Sequence, residues 1–221
     1  MREYMPRIAD TILQNRLSSK GAVLIEGAKW CGKTTTAKHA AKSVIEMDHL
    51  ELSKQYKEMA ELNPAALLEG ETPHLIDEWQ VATSLWNAIR YEVDQRDDFG
   101  QFILTGSAVP AHMDSSSHTG TGRIARMRMR PMSLFESGES SGQVSISELF
   151  EGVEPSGKDN HTLEEMAFYI CRGGWPKAIG RERKIALQQA IDYYDAVVSD
   201  EINRVEDVKR DKGRSTRLLR S

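Results

Sequence analysis

Val23-Leu24-Ile25-Glu26-Gly27-Ala28-Lys29-Trp30-Cys31-Gly32-Lys33-Thr34-Thr35-Thr36 decides how this chain is read. Apolar residues Ala22 to Ile25 run into the spacing G-x-x-x-x-G-K-T, and a polar, alanine-containing segment follows. That order is strand, tight loop and helix start, the setting a phosphate-binding loop requires. Gly27 and Gly32 let the backbone fold around an anion in conformations that a side chain opposes. The loop residues Gly27, Ala28, Lys29, Trp30, Cys31, Gly32, Lys33, Thr34 and Thr35 then offer a nest of N–H groups at the positive end of the next helix. Lys33 is placed to reach the β- and γ-phosphates of a nucleotide, and the Thr34 hydroxyl to ligate Mg²⁺. Trp30 either shields the nucleotide or packs beside the loop. Cys31 is better read as a bystander thiol than as a redox switch.

Working outward, Pro73-His74-Leu75-Ile76-Asp77-Glu78-Trp79-Gln80 is a short apolar strand that ends in two carboxylates. Alone it is a solvated turn. After a phosphate-binding loop it reads as the element in which Asp77 holds Mg²⁺ and Glu78 polarises the attacking water. Gly100-Gln101-Phe102-Ile103-Leu104-Thr105-Gly106-Ser107 is a further buried strand with small hydroxylated residues at its end. Ligands of doubly wound sheets gather at the carboxyl ends of the strands, so Thr105 or Ser107 is a candidate γ-phosphate sensor. Hydroxyls that only cap a turn are the alternative for either one.

Bulk properties set the bounds. The chain has 221 residues, room for one large domain or one and part of another. Two cysteines exclude a disulfide framework and a four-cysteine zinc site. The Met-Arg-Glu start has no apolar stretch behind it and no run reaches membrane-spanning length, so a cytoplasmic, membrane-free setting is expected. A net charge of -4 says nothing by itself about nucleic acid, because distribution matters more than the total.

Elsewhere, Ile8, Ile12, Leu13 and Leu17 recur at helical spacing, and Gly21 closes that helix. A helix through about Lys42 and a strand Ser43 to Asp48 follow the loop. Residues 50 to 70 read as helical, with Asn63 as an N-cap before Pro64. Trp79 to Gln95 reads as one helix whose Val81, Leu85, Trp86, Ile89 and Val93 share an apolar face. Val109 to Gly122 has the composition of a loop, and its His112 and His118 read as solvated rather than metal-binding. Period-two alternation over 124–130 makes a strand with Arg126, Arg128 and Arg130 on one face. A charged edge strand is the preferred account, a phosphate-contacting ribbon on nucleic acid the alternative. Arg123 stands off that strand, where it could serve as an arginine finger on a neighbouring copy's nucleotide. Residues 138–160 read as a linker around a helix from Ile146 to Phe150. Helices are expected at Thr162 to Cys171 and at Lys184 to about Val208. Asn203 to Ser221 carries seven Lys or Arg against three acidic residues and has no evident stop signal.

These residues, in order, resemble the prokaryotic AAA-type ATPases that carry a C-terminal domain of unknown function. The resemblance rests on Gly27 to Thr34, His74 to Gln80 with its Asp-Glu-x-Gln, Leu104 to Ser107, Gly122-Arg123 and Pro131 to Glu136, and continues more faintly at Gly173 to Pro176. It implies an α/β P-loop fold, a mainly parallel sheet between helices, with one strand inserted between the loop strand and the Asp-Glu strand. It also implies ATP with Mg²⁺ as ligand and a further C-terminal region, of which this chain would hold only the start. The expected organisation is an ATPase domain over 1–137, a linker over 138–160 and a helical segment over 161–221. The loop departs from relatives that carry Pro-Arg early in it. Lys29 keeps a charge there without arginine's fork.

The expected activity is ATP hydrolysis that drives a conformational switch or remodelling step, with a homo-oligomer as a partner state. A phosphotransferase is disfavoured, because a water-activating Glu78 suits hydrolysis and no arginine-rich lid is evident. The remaining alternative is a nucleotide-gated DNA-binding module with little or no hydrolysis, supported only by the basic C-terminal stretch and the arginine face.

Overall fold

The computed structural model describes residues 3–106 and 120–198. Five strands form one parallel sheet: β1 (Ala22–Glu26), β2 (Ser43–Glu46), β3 (His74–Asp77), β4 (Phe102–Thr105) and β5 (Ile124–Arg128), in the order β2-β3-β4-β1-β5. Every pairing is parallel, so the connections from β1 to β2, β2 to β3 and β3 to β4 carry the chain back over a face of the sheet. Helices α1 (Ile8–Leu17), α2 (Lys33–Ala40), α3 (Ser53–Leu62) and α4 (Leu85–Arg96) supply that cover. Both faces are therefore dry, which is why β1, β3 and β4 read as continuous apolar runs rather than alternating ones. Ala22, Leu24, Ile76, Phe102, Leu104 and Ile124 turn one way, into a core with Leu67, Leu68, Trp79, Leu85, Trp86 and Ile89. Val23 and Ile25 turn the other way, where α1 and α2 lie against β1, and Leu13, Leu17 and Ala37 are buried.

The inserted strand is β4, which lies between β1 and β3 as the resemblance implies. The fold is that of an α/β P-loop NTPase, followed by a mainly helical segment. Two elements differ from the sequence expectation. Trp79 to Gln95 is not one helix: a single 3-10 turn over Trp79–Val81 ends at Ala82, whose extended backbone separates it from α4. Glu78 in the left-handed region aims the chain away from a regular helix start, and the apolar spacing of Val81 with Leu85 crosses that break. Residues 50 to 70 likewise divide into α3 and a 3-10 helix over Pro64–Leu68. Pro64 has no N–H to continue α3, and the Asn63 side chain makes no cap bond.

The chain divides into two compact units, Met1–Arg130 and Pro131–Ser221. The division between these units falls after Arg130. The helices of the second unit are α5 (Ile146–Phe150), α6 (Leu163–Arg172) and α7 (Arg183–Ala196). Thr162 and Glu165 cap α6 reciprocally, the Thr162 hydroxyl accepting from the Glu165 N–H at 3.2 Å and the Glu165 carboxylate from the Thr162 N–H at 2.8 Å. Arg172, buried at the other end of α6, pairs with Glu139 at 2.5 Å, so part of the expected linker is packed within this unit.

Candidate functional site

The parallel register brings the carboxyl ends of β1, β3 and β4 to one edge of the sheet. Leu24 pairs with Leu104 and Leu104 with Ile76, so Thr105 and Asp77 are level, one strand apart. The loop between β1 and α2 rises beside them. Gly27 has φ of 151° and Gly32 has φ of 105°. At both positions a Cβ would be strained, and at Gly27 it would also stand 2.2 Å from the Met129 carbonyl oxygen. Trp30 shares the left-handed region (φ 65°) although it is not glycine, and its ring is half exposed. Gly32 is the N-cap of α2 and carries no side chain to cap it, so the first-turn N–H groups lack an intrahelical acceptor. A helix start left in this state favours a bound anion.

Lys33, on the first turn of α2, is buried and donates to the Gly27 and Ala28 carbonyls at 2.9 and 3.0 Å. Its ammonium thus closes the loop on itself. Beside it, the Thr34 hydroxyl donates to Asp77 Oδ1 at 2.9 Å, and the fully buried Thr105 hydroxyl donates to the same oxygen. The structure therefore brings Lys33, Thr34, Asp77 and Thr105 into one cluster. Glu78 follows directly. Burial pushes its carboxyl above the ordinary glutamate range, the Asp77 charge adds to that, and donation from the Gln80 amide together with the Lys33 charge opposes it.

Ala28, Lys29 and Thr35 lie on the same loop and helix start, with Ala28 and Thr35 exposed. Cys31 is fully buried with its thiol 3.7 Å from the Met129 carbonyl, and burial pushes its pKa up. That is the environment of a packed, inert thiol. Ser107, His112, His118 and the basic stretch from Asn203 lie outside the described residues. Arg123 is not part of the cluster. It precedes β5, whose first residue pairs with the first residue of β1, so it sits at the amino end of the sheet. A strand of this length separates it from the loop by about 15 Å, and its guanidinium pairs with Asp94 of α4 at 2.5 Å. Arg126 and Arg128 are exposed on β5, at the sheet's edge, and Arg126 pairs with Glu26 at 3.4 Å.

One participant has no motif of its own. Arg7, just before α1, is buried and donates to the Cys31 carbonyl at 3.0 Å and to the Arg130 carbonyl at 2.9 Å. Its guanidinium ties the loop between β1 and α2 to the residues just after β5. Tyr4 extends the brace: its hydroxyl donates to Asp10 at 2.5 Å and lies 3.2 Å from the Thr36 hydroxyl, and burial pushes its pKa up to about 12. Nothing in the spacing of Arg7 distinguishes it from a surface arginine at a helix start.

Among the described residues no group of three or more His, Cys, Asp or Glu could hold a metal on its own, and no helix is long and apolar enough to cross a membrane.

Fold and site together define the class: a parallel α/β protein in which a glycine-bounded loop before α2 lies beside Asp77 and Glu78, with one strand inserted between β1 and β3. The AAA domain family model matches residues 19–137, and the chain belongs to that family. No curated protein matches the sequence. Among solved structures, the Walker-type ATPase PABY2304 of Pyrococcus abyssi is similar at 14% identity and a TM-score of 0.54, over 92% of this chain and 76% of that one. C. elegans PCH-2 (16% identity, TM-score 0.39, 84% of this chain and 61% of that one) and AMPPCP-bound DnaA of Aquifex aeolicus (14%, 0.46, 90% and 62%) are more distant in shape. This chain spans less than two thirds of either. At such identities the likeness concerns the fold.

Proposed function

We propose that this chain binds ATP with Mg²⁺ and hydrolyses it, and that hydrolysis drives a conformational switch or remodelling step. One observation carries the proposal: Thr34 and Asp77 meet at 2.9 Å beside Lys33, at the uncapped start of α2. A hydroxyl and a carboxylate oxygen are the hard donors that suit Mg²⁺, which takes one or two protein ligands and completes its shell with phosphate and water. The two residues present fit that requirement without a larger protein cage. Bound there, the ion would neutralise charge on the phosphates.

The chain's own groups do the rest. Phosphate oxygens replace the Gly27 and Ala28 carbonyls as the partners of the Lys33 ammonium. The α2 N–H groups and Lys33 are fixed before the reaction begins, so stabilising the developing charge needs no reorganisation. Thr105 holds Asp77 in place from β4. Glu78, the residue after β3, orients the attacking water and takes its proton, and Ser107 is the other candidate for contact with the γ-phosphate. Arg123 can act only on a nucleotide held by another copy of the chain, which makes turnover dependent on protein concentration.

Titration with a fluorescent ATP analogue and a turnover assay test the reading together. Lys33→Ala should abolish detectable binding, and Glu78→Gln should bind as the parent does while turnover falls by about two to three orders of magnitude. If Lys33→Ala takes up Mg·ATP as tightly as the parent, the reading is wrong.

A further inference from the structure

Glu78 is held in an unusual way, and two residues explain how. Its backbone is left-handed, with φ of 54° and ψ of 44°, a conformation that a residue with a Cβ adopts only under strain. Strain of that kind persists only where surrounding contacts enforce it. Its carboxylate accepts a hydrogen bond from the Gln80 side-chain amide, two residues on, within the 3-10 turn that Glu78 opens. With the Gln80 nitrogen committed to Glu78, the amide oxygen must face the opposite way. That oxygen is buried and has no hydrogen-bond partner among the described residues.

It faces Gly106. A Cβ on Gly106 would stand 2.3 Å from the Gln80 amide oxygen, 3.2 Å from its amide carbon and 3.2 Å from Trp79 Nε1. Gly106 is absent from the residues with positive φ, so backbone conformation does not require glycine there. Space does. The residue after β4 is kept bare, and the amide that steers the β3 carboxylate seats against it.

We propose that Gln80 is the positioning residue for Glu78, and that Gly106 is the seat that fixes Gln80. This rests on the hydrolytic reading of the site and adds a link between the ends of β3 and β4. Whatever moves the end of β4 moves Gln80, and through it the carboxylate. Gln80 need not touch nucleotide to do this.

The test is a double-mutant cycle on the full chain with Gln80→Ala, Gly106→Ala and the double variant. Each single variant should lower kcat by about ten- to a hundredfold, as misplacement of a reacting group by an ångström does, with Mg·ATP affinity changed by less than about threefold. The double variant should be no slower than the slower single one, because both changes break the same contact. A product of the two effects, or a Gln80→Ala enzyme within about twofold of the parent, would overturn the proposal. A second readout needs no turnover. Gly106→Ala should lower the urea midpoint, and Gln80→Ala in the same chain should restore half or more of the loss by removing the clash. Additive midpoints overturn the seat. Glu78→Gln separates the two levels: if it retains turnover, the hydrolytic reading fails, whereas if it is dead and Gln80→Ala is normal, only the positioning role fails.

Discussion

Thr105→Val removes one oxygen from the least accessible part of the site and leaves the shape almost unchanged. Thr105 is fully buried, and its hydroxyl donates to the same Asp77 oxygen that accepts from Thr34. Asp77 is itself buried, so no water stands ready to replace the lost donor. A hydrogen bond to a charged group contributes about 1.5–3 kcal/mol, and the replacing methyl brings no overpacking. For a chain of this size one kcal/mol displaces Tm by about 2–4 °C, so the variant should melt about 3–12 °C below the parent. Thr105→Ser keeps the donor and should lose only the small cost of a missing methyl. Differential scanning calorimetry without nucleotide reads the difference directly, and circular dichroism at 20 °C checks that both variants are folded. If the valine variant melts within 1 °C of the parent, the β4-to-β3 hydroxyl contact holds nothing in place, and Thr105 ceases to be the support of Asp77.

Two further outcomes follow from buried groups around the sheet. Arg7→Ala removes the guanidinium bonds to the Cys31 and Arg130 carbonyls from a site that is 8% exposed. Unfolding in urea should show a loss of about 2–4 kcal/mol, with weaker nucleotide binding because the Cys31 carbonyl is no longer tethered. Binding equal to the parent's would mean that the loop keeps its form unaided. His74 is 2% exposed, with Nε2 3.1 Å from the Leu67 carbonyl, and burial pulls its pKa below the ordinary histidine value. The unfolded chain therefore takes up this proton at a higher pH than the folded one. Its contribution is complete above about pH 6.5 and is lost as pH falls through the lowered folded value. Urea midpoints at pH 7.5 and 5.5 should differ more for the parent than for His74→Gln, and equal differences would refute it.

The elements of the candidate site were legible because their backbone is decided locally. Gly27 to Thr34 and Leu75 to Glu78 each fold within one strand and the turn after it, and a turn's residues are dictated by its own backbone. Apolar runs at β1, β3 and β4 disclosed a sheet covered on both faces, since a strand buried twice has no polar side to alternate with. The insertion of β4 between them came from resemblance, not from any residue. Local signals failed where a decision depended on what lay across the sheet. Val81 and Leu85 keep helical spacing over 79–95, yet the left-handed Glu78 and extended Ala82 break that stretch in two.

By itself the sequence determined the glycine-bounded turn after β1, the strand ending in Asp77 and the class of sheet, because spacing along a chain is enough to specify a turn and a buried strand. Tertiary structure alone decided which groups share an oxygen. Thr34 and Thr105 lie 71 residues apart and meet on Asp77 only because parallel register levels the ends of β1, β3 and β4. It alone placed Arg7 under Cys31, Gln80 against the bare Gly106, and Arg123 at the opposite end of the sheet from the loop. Those are distances through space, set by strand order and packing, and no pattern of residue types along the chain encodes them singly.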